Sequence, residues 1–548
     1  MSIARITFVA ALLLACGVTA RADNVLTRSF SRGDAATDVG IAPGGPDVEL
    51  EGPDAIYSGD NGEIYVLDQV NSRILKFDPR APGAPPQEFL LPDGVSPTDL
   101  VVSNGKIHVW DGQVLTLEPT GPASSPTRGL TLTRSAEPVD DTINDAFSQM
   151  GSRQPGESLE SLLEPTRSLT PAGRRQQTVA THGGGAVIAK FSPFDGDAAV
   201  RIDVASRRGG HELAKLDLRV TSRLGAVDLL DIDSHGRYYV FAENVPEGPG
   251  DTASDFVARY GPNATLEGVY DLPLTRDSGL ARRFVTVSPD GEVYFLRTRK
   301  GSSNILGVGF RRVAKGEALP YGAAVAPSFS AFDKIGATHA LVRPLTRRQV
   351  IENGIAFATV RWRVTPTAYG PDPDRRCSGF NRIRRPGYMR GKLNRDVVGI
   401  PYCWGCSGSL SKIASLIQHG ELAGNVCTRD NPRRDIAGVD CSAFVSAAWG
   451  LSTHFTTLAI PSIARPVPNV WDMLPGDVFD KPGSHVMLFM RFTRDRKAEV
   501  LESSTGGCNG KVCHNIYPVG SLLARGYRPM RYRALMNADL RSIAPDRE

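Results

Sequence analysis

Four stretches of the chain share one shape, and that shape limits the fold more than any other feature. They are PDAIYSGDNGEIYVLDQVNSRILKFD at 53–78, PTDLVVSNGKIHVWDGQVLTL at 97–117, AVDLLDIDSHGRYYVF at 226–241 and FVTVSPDGEVYFLR at 284–297. Each is an apolar strand, a polar turn holding a glycine, and a second strand rich in aromatic and β-branched residues, which is the pattern of a hairpin. The turn glycines Gly62, Gly105, Gly236 and Gly291 lie 43, 131 and 55 residues apart. Because 131 is close to three intervals of 43, the spacing matches the ~40–45 residue period of β-propeller blades, with a β-sandwich or several small β modules as the alternative.

The first unit, with its G-E-I-Y-V-L-D turn and strand followed by N-S-R-I, resembles the NHL-repeat type of propeller blade. The stretch 134–182 is rich in Ser, Thr, Pro, Glu and Arg with few aromatics. Such a composition buries too little apolar surface to offset ordering entropy, so a mobile insertion is expected there. Removing it from 30–340 leaves room for about six blades.

A length of 548 residues exceeds one ordinary core and demands at least two domains. Hydrophobic residues at 41 %, charged residues at 22 % and a net charge of +4 describe a globular chain and give no reason to expect nucleic acid as a partner. At the start, Arg5, the apolar run Ile6 to Ala15 and Ala20-Arg21-Ala22 read as an export signal over 1–22. A periplasmic or extracellular location follows. The run is too short to cross a membrane, and no later stretch reaches the ~20 apolar residues that a span requires. Leu13-Leu14-Ala15-Cys16 also looks like a bacterial lipoprotein box, which leaves a lipid anchor through Cys16 open beside simple cleavage.

Residues 23–376 contain no cysteine, whereas Cys377, Cys403, Cys406, Cys427, Cys441, Cys508 and Cys513 crowd the remainder. In an exported protein cysteines pair, so seven leaves one thiol that calls for an explanation. Cys508 and Cys513 are close enough for a local bridge, and Cys377, Cys403, Cys406 and Cys427 can supply two more. The C-x-x-C of Cys403 and Cys406 lacks the second pair of a zinc site. Phosphate-binding glycine motifs and acidic calcium loops are absent too, and no cofactor or metal is expected.

Near 340 the pattern changes. LTRRQVIENGIAFATVRWRV at 345–364 places apolar residues at helical spacing. Between 375 and 395 eight Lys or Arg stand with no acid, which suits either a solvated loop or docking on an anionic cell-envelope polymer. GVDCSAFVSAAWGL at 438–451 then reads as a turn entering a helix, with Cys441 in the first turn and Phe444, Val445, Ala448 and Trp449 on one apolar face. A thiol at a helix N-terminus is expected to have a lowered pKa. LPGDVFDKPGSHVMLFM at 474–490 is a turn and a strand beginning at His485, and AEVLESS at 498–504 is its hairpin partner. With the right register Glu502 lies beside His485 and fixes its tautomer. The chain order is then nucleophile, base and orienter.

These segments, together with GIPYCWG at 399–405 and TTLAIP at 456–461, resemble in order and spacing the NlpC-type cell-wall cysteine peptidases over about 345–535. The resemblance implies a papain-like α+β domain in which Cys441 is the nucleophile, His485 the base, and Tyr402 a neighbour of the thiol in the oxyanion region. Two departures are Ala443, where a glycine commonly follows D-C-S, and Glu502, where a histidine is common. The chain is thus expected to be multidomain, a β-propeller followed by a catalytic domain. It would cleave amide bonds in peptidoglycan stem peptides through an acyl-enzyme. Alternatives are a papain-like amidase or acyltransferase on another exported substrate, and a propeller binding protein with a remnant hydrolase domain. The expected partners are peptidoglycan or another envelope polymer, with a protein or glycan ligand on the propeller.

Overall fold

The computed structural model describes residues 23–42, 44–45, 47–133, 141–149, 175–182, 185–245, 253–313, 319, 344–371, 377, 383–427 and 435–536. The signal expected at 1–22, Cys16 included, lies outside them. The chain is a β-rich multidomain protein, mostly sheet with few helices.

Every hairpin read from the sequence is present. Ala55–Ser58 pairs with Ile64–Asp68, Asp99–Ser103 with Lys106–Trp110, Arg223–Ile232 with Tyr238–Val245, and Val285–Val287 with Val293–Arg299. Gly62, Gly105, Gly236 and Gly291 have φ of 82°, 71°, 74° and 85°. That left-handed backbone is accessible to glycine without steric cost, which is why the turns fall there.

Each hairpin belongs to an antiparallel unit of four strands, and the described residues hold five such units where about six were expected. The interval between Gly105 and Gly236 accounts for the difference. It holds one sheet of long strands, Arg175–Ala180, Ala186–Pro193, Ala199–Ser206 and Glu212–Arg219, and a helix, Asp141–Gln149. The last unit is completed by the strand Val25–Arg32, which pairs antiparallel with Ser302–Gly307. The first strands of successive units touch in series, with the helix bridging Asp99–Ser103 to Arg175–Ala180.

Within the mobile insertion expected over 134–182, the helix and the strand Arg175–Ala180 are formed, which corrects the expectation for those two stretches, while 134–140 and 150–174 lie outside the described residues. Ile143, Ala146 and Phe147 supply one buried face at helical spacing, enough to seat the helix although the average composition is polar. Arg283 fastens it by reaching both carboxylate oxygens of Asp99, at 3.0 and 3.1 Å, and donating to Ala146 O at 2.7 Å.

The second half is built on a six-stranded sheet in the order Ala464–Pro466, Arg528–Tyr532, Val478–Lys481, His485–Phe492, Lys497–Ser504, Lys511–Pro518. The helix expected after 345 runs Arg347–Thr359, closed by a capping box of Thr346 and Gln349. It and the helix Cys441–Ala448 pack on one face of the sheet. There Phe444 meets Phe357 edge-on at 5.7 Å between centroids, and Trp449 stacks on Tyr532 at 4.9 Å. Burying a side chain such as Phe444 is worth roughly 1.5–3 kcal/mol.

The two halves share buried polar contacts. Lys497 Nζ lies 2.8 Å from Asp228, both almost fully buried. Arg175 meets Asp495 at 2.9 Å, and Ser521 N donates to Glu243 at 3.0 Å. Val245 joins the core of Val519 and Leu522. The basic stretch 375–395 is partly drawn inward, which corrects its reading as a solvated loop: Arg385 donates to the carbonyls of Tyr369 and Pro371 at 3.0 and 2.9 Å.

Three disulfides, Cys377–Cys427, Cys403–Cys406 and Cys508–Cys513, leave Cys441 as the free thiol among the described residues. They suggest an oxidising, exported environment. No helix among the described residues is long and apolar enough to cross a membrane.

Candidate active site

Asp440 is the N-cap of the Cys441 helix. Its Oδ1 accepts from Ala443 N at 2.7 Å and Ser442 Oγ at 3.0 Å, and its Oδ2 accepts from Gly405 N at 3.1 Å. One carboxylate therefore starts the helix and ties it to the turn carrying Tyr402. Tyr402 runs alongside Val439 in a parallel bridge, and the Cys403–Cys406 disulfide closes the same turn.

The thiol of Cys441 lies near the start of the histidine strand, close enough for the backbone N–H of Val486 to act on it. In strand pairing Leu488 faces Leu501, so Glu502 lies diagonally from His485 on the same sheet face. The register condition set by the sequence is met. His485 Nε2 and Glu502 Oε2 are 2.6 Å apart, leaving Nδ1 as the ring nitrogen not engaged by Glu502. The other carboxylate oxygen accepts from Asn515 Nδ2 and Tyr517 OH, both at 2.6 Å. Those two residues escaped the sequence reading. Alternation along Lys511–Pro518 puts them on the face of Glu502, a signal visible only once the strand register is known.

Burial is the largest influence on His485 and opposes its charged form, but the hydrogen bond and charge of Glu502 outweigh it and hold the imidazole above its ordinary value. For Glu502 burial pushes upward, and His485, Tyr517 and Asn515 together bring the carboxyl below its ordinary value.

The thiol differs from expectation. Burial pushes Cys441 well above the usual thiol range, and the charges of Asp440 and Asp47 push the same way, outweighing the backbone N–H groups of Val486 and Ser442. The helix N-terminus is present, yet desolvation dominates, because something covers the thiol. That cover is Asp47, from the first half of the chain. Its carbonyl oxygen accepts from Cys441 Sγ and from Tyr402 OH, each at 3.4 Å, and its Oδ1 accepts from Thr457 N at 2.7 Å. Cys441, Tyr402, His485 and Glu502 are all buried.

Among the described residues no group of three or more His, Cys, Asp or Glu is placed to hold a metal ion. Elsewhere His182 pairs with Asp231 and His514 with Glu499, each at 2.5 Å.

No protein family and no curated protein matches the sequence. Among solved structures the chain is similar to hydrazine synthase of Kuenenia stuttgartiensis, at 14 % identity over 45 % of this chain and 73 % of that one, with a TM-score of 0.24. It is also similar to a streptogramin B lyase, at 11 % identity over 49 % and 97 %, TM-score 0.21. Virginiamycin B lyase from Staphylococcus aureus gives 11 % over 47 % and 95 %, TM-score 0.21. Likenesses this slight leave the chemistry to be argued from the residues themselves.

Proposed function

We propose that this chain is an exported cysteine hydrolase that cleaves amide bonds in peptidoglycan stem peptides, through a papain-like domain of NlpC type. On this reading the five four-stranded units form a propeller that binds an envelope polymer and presents it to that domain. The observation that carries the reading is the hydrogen bond of 2.6 Å between His485 and Glu502, at the strand mouth where the free thiol of Cys441 also sits. A nucleophile, a base and an orienter in that order are what thiol acyl transfer requires.

The thiol proton passes to His485, and the sulfur attacks the amide carbonyl carbon, forming a C–S bond. Tyr402 OH and backbone N–H groups near Cys441 stabilise the oxyanion. The C–N bond breaks as His485 gives its proton to the leaving amine. Water then attacks the thioester, with His485 taking its proton and returning it to the sulfur, so that the acid product leaves and the thiol is restored. Glu502 holds the imidazole in the productive tautomer throughout.

The test is to incubate the purified full chain with cell-wall fragments and identify cleaved bonds by mass spectrometry, with Cys441→Ala as the control. Cleavage of an amide that depends on Cys441 supports the reading. Fragments left intact by a protein whose thiol is demonstrably accessible would refute it.

A further inference from the structure

The segment between the strands Asp38–Val39 and Ala55–Ser58 includes a small hairpin. Ala42 and Glu51 exchange backbone hydrogen bonds of 3.0 Å, and Gly45 and Val48 exchange a second pair of 3.1 Å nearer the tip. Asp47, at the tip, has φ of 56°, a left-handed conformation that an aspartate tolerates but that side-chain-bearing residues seldom adopt. The hairpin reaches into the second half, and its tip is anchored there three times: at Cys441, at Tyr402 and at Thr457 N. Thr457 is itself held by Gly483 N, at 2.9 Å, on the turn leading to His485.

Two residues beyond the tip, the buried carboxylate of Glu49 lies 3.8 Å from Lys481 Nζ, and its Oε1 has no hydrogen-bond partner among the described residues. Lys481 stands 5.5 Å over the ring of Tyr527, which in turn meets His485 edge-on at 6.3 Å. Beside them Arg525 is 1 % exposed, yet its Nε and Nη1 make no hydrogen bond among the described residues, and the Tyr527 hydroxyl lies beside Glu49. Asp255 and Glu49 act on Arg525 through charge alone, and a buried guanidinium whose donors are left unpaired is costly. Its donors fit a planar anion.

We propose that the hairpin Ala42–Glu51 is a built-in occupant of the catalytic cleft, and that Lys481, Arg525 and Tyr527 form a carboxylate subsite which Glu49 reaches only in part. The inference rests on the hydrolase reading and adds a substrate class to it. The Asp47 carbonyl stands where a substrate carbonyl would meet Cys441 and Tyr402. The substrate is then a peptide carrying a carboxylate about two residues beyond the bond attacked, on its amine side, and it must displace the hairpin to bind.

The experiment uses the full, non-reduced chain and follows alkylation of Cys441 by iodoacetamide with peptide mapping. The intact protein should react slowly. Glu49→Gln, which removes the charge facing Lys481, and separately Asp47→Ala, which removes the bond to Thr457 N, should each speed alkylation by about tenfold. Far-UV circular dichroism should be unchanged. A second arm takes whichever variant is loosened and adds a tripeptide ending in Ala-Glu or its counterpart ending in Ala-Gln. The Glu peptide should protect the thiol more, and Arg525→Met or Lys481→Met should erase the difference.

Rapid alkylation of the unmodified chain, or rates unchanged in both hairpin variants, would overturn the plug. Equal protection by the two peptides would overturn the subsite. Neither readout depends on turnover. An exposed thiol in the variants, with cell-wall fragments still intact, would therefore refute the hydrolase reading while leaving the plug standing.

Discussion

Glu502→Gln removes one negative charge from a fully buried carboxylate while keeping its size, and its effect depends on pH in a direction fixed by the two shifts. Glu502 is held below its ordinary value, so its contribution to stability is present above the unfolded carboxyl pKa of ~4.3 and is lost as pH falls through the folded value. His485 is held above its ordinary value, so its contribution is complete below the unfolded imidazole pKa of ~6.5 and is lost as pH rises through the folded value. The wild-type pair is therefore worth most between those limits. Removing one member of a buried ion pair costs about 3–5 kcal/mol. Glutamine should fall near the lower figure, because its carbonyl can still accept from the imidazole. Its amide nitrogen, however, then confronts Asn515 Nδ2 and Tyr517 OH, which now donate to Glu502. Urea unfolding of the full chain, followed by near-UV circular dichroism at about pH 5.5 and about pH 8.5, measures the effect. The wild type should lose more stability between the two than Glu502→Gln does. An equal loss in both would refute the coupling of these residues, and with it the assignment of Glu502 as orienter.

Arg283→Ala should destabilise the first half by about 3–5 kcal/mol, since it strands the buried carboxylate of Asp99 and releases Ala146 O; thermal unfolding measures it. Replacing both Cys377 and Cys427 by serine opens a cross-link spanning 50 residues, for which the loop-entropy model gives roughly 4 kcal/mol, readable as a lowered urea midpoint. A fragment beginning near residue 340, where the sequence pattern changes, should bind a hydrophobic dye and aggregate. It would expose Lys497 without Asp228 and the core around Val519 and Leu522 without Val245.

Local signals carried much of this architecture. A turn glycine between two alternating strands has one economical solution, and each of Gly62, Gly105, Gly236 and Gly291 adopts it. Period-two alternation likewise placed Glu502 beside His485, because a hairpin fixes which residues share a face. That six cysteines pair around a free Cys441 followed from parity, and Cys508 with Cys513 from proximity, but the partners of Cys377, Cys403, Cys406 and Cys427 did not. The number of units was not legible, because a 131-residue interval accommodates either two blades or one blade with a long connection, and only tertiary packing decides. The helix Asp141–Gln149 was lost in a polar average although its three buried apolar residues stand at helical spacing. The cover on Cys441 was invisible for a different reason. PGGPDVELEG shows a brief polar–apolar alternation that says nothing of where it docks, and its partner lies almost four hundred residues away. That one long-range contact is also why the thiol departs in the opposite direction from the one its helix position implies.

The strand Val25–Arg32 has a consequence for thiol chemistry during folding. Its partner Ser302–Gly307 is nearly three hundred residues downstream, and the hairpin carrying Asp47 hangs just beyond it. Contacts this far apart in sequence form late, after shorter-range pairings such as Cys508 with Cys513. Until the ends of the first half meet, Asp47 has no fixed place and Cys441 has no cover. An uncovered thiol can attack any of the three disulfides through a mixed disulfide, shuffling the pairing before it is locked. Pairing of Val25–Arg32 with Ser302–Gly307 would thus end the period of exchange. The strand made first, by waiting longest for its neighbour, sets how long that period lasts.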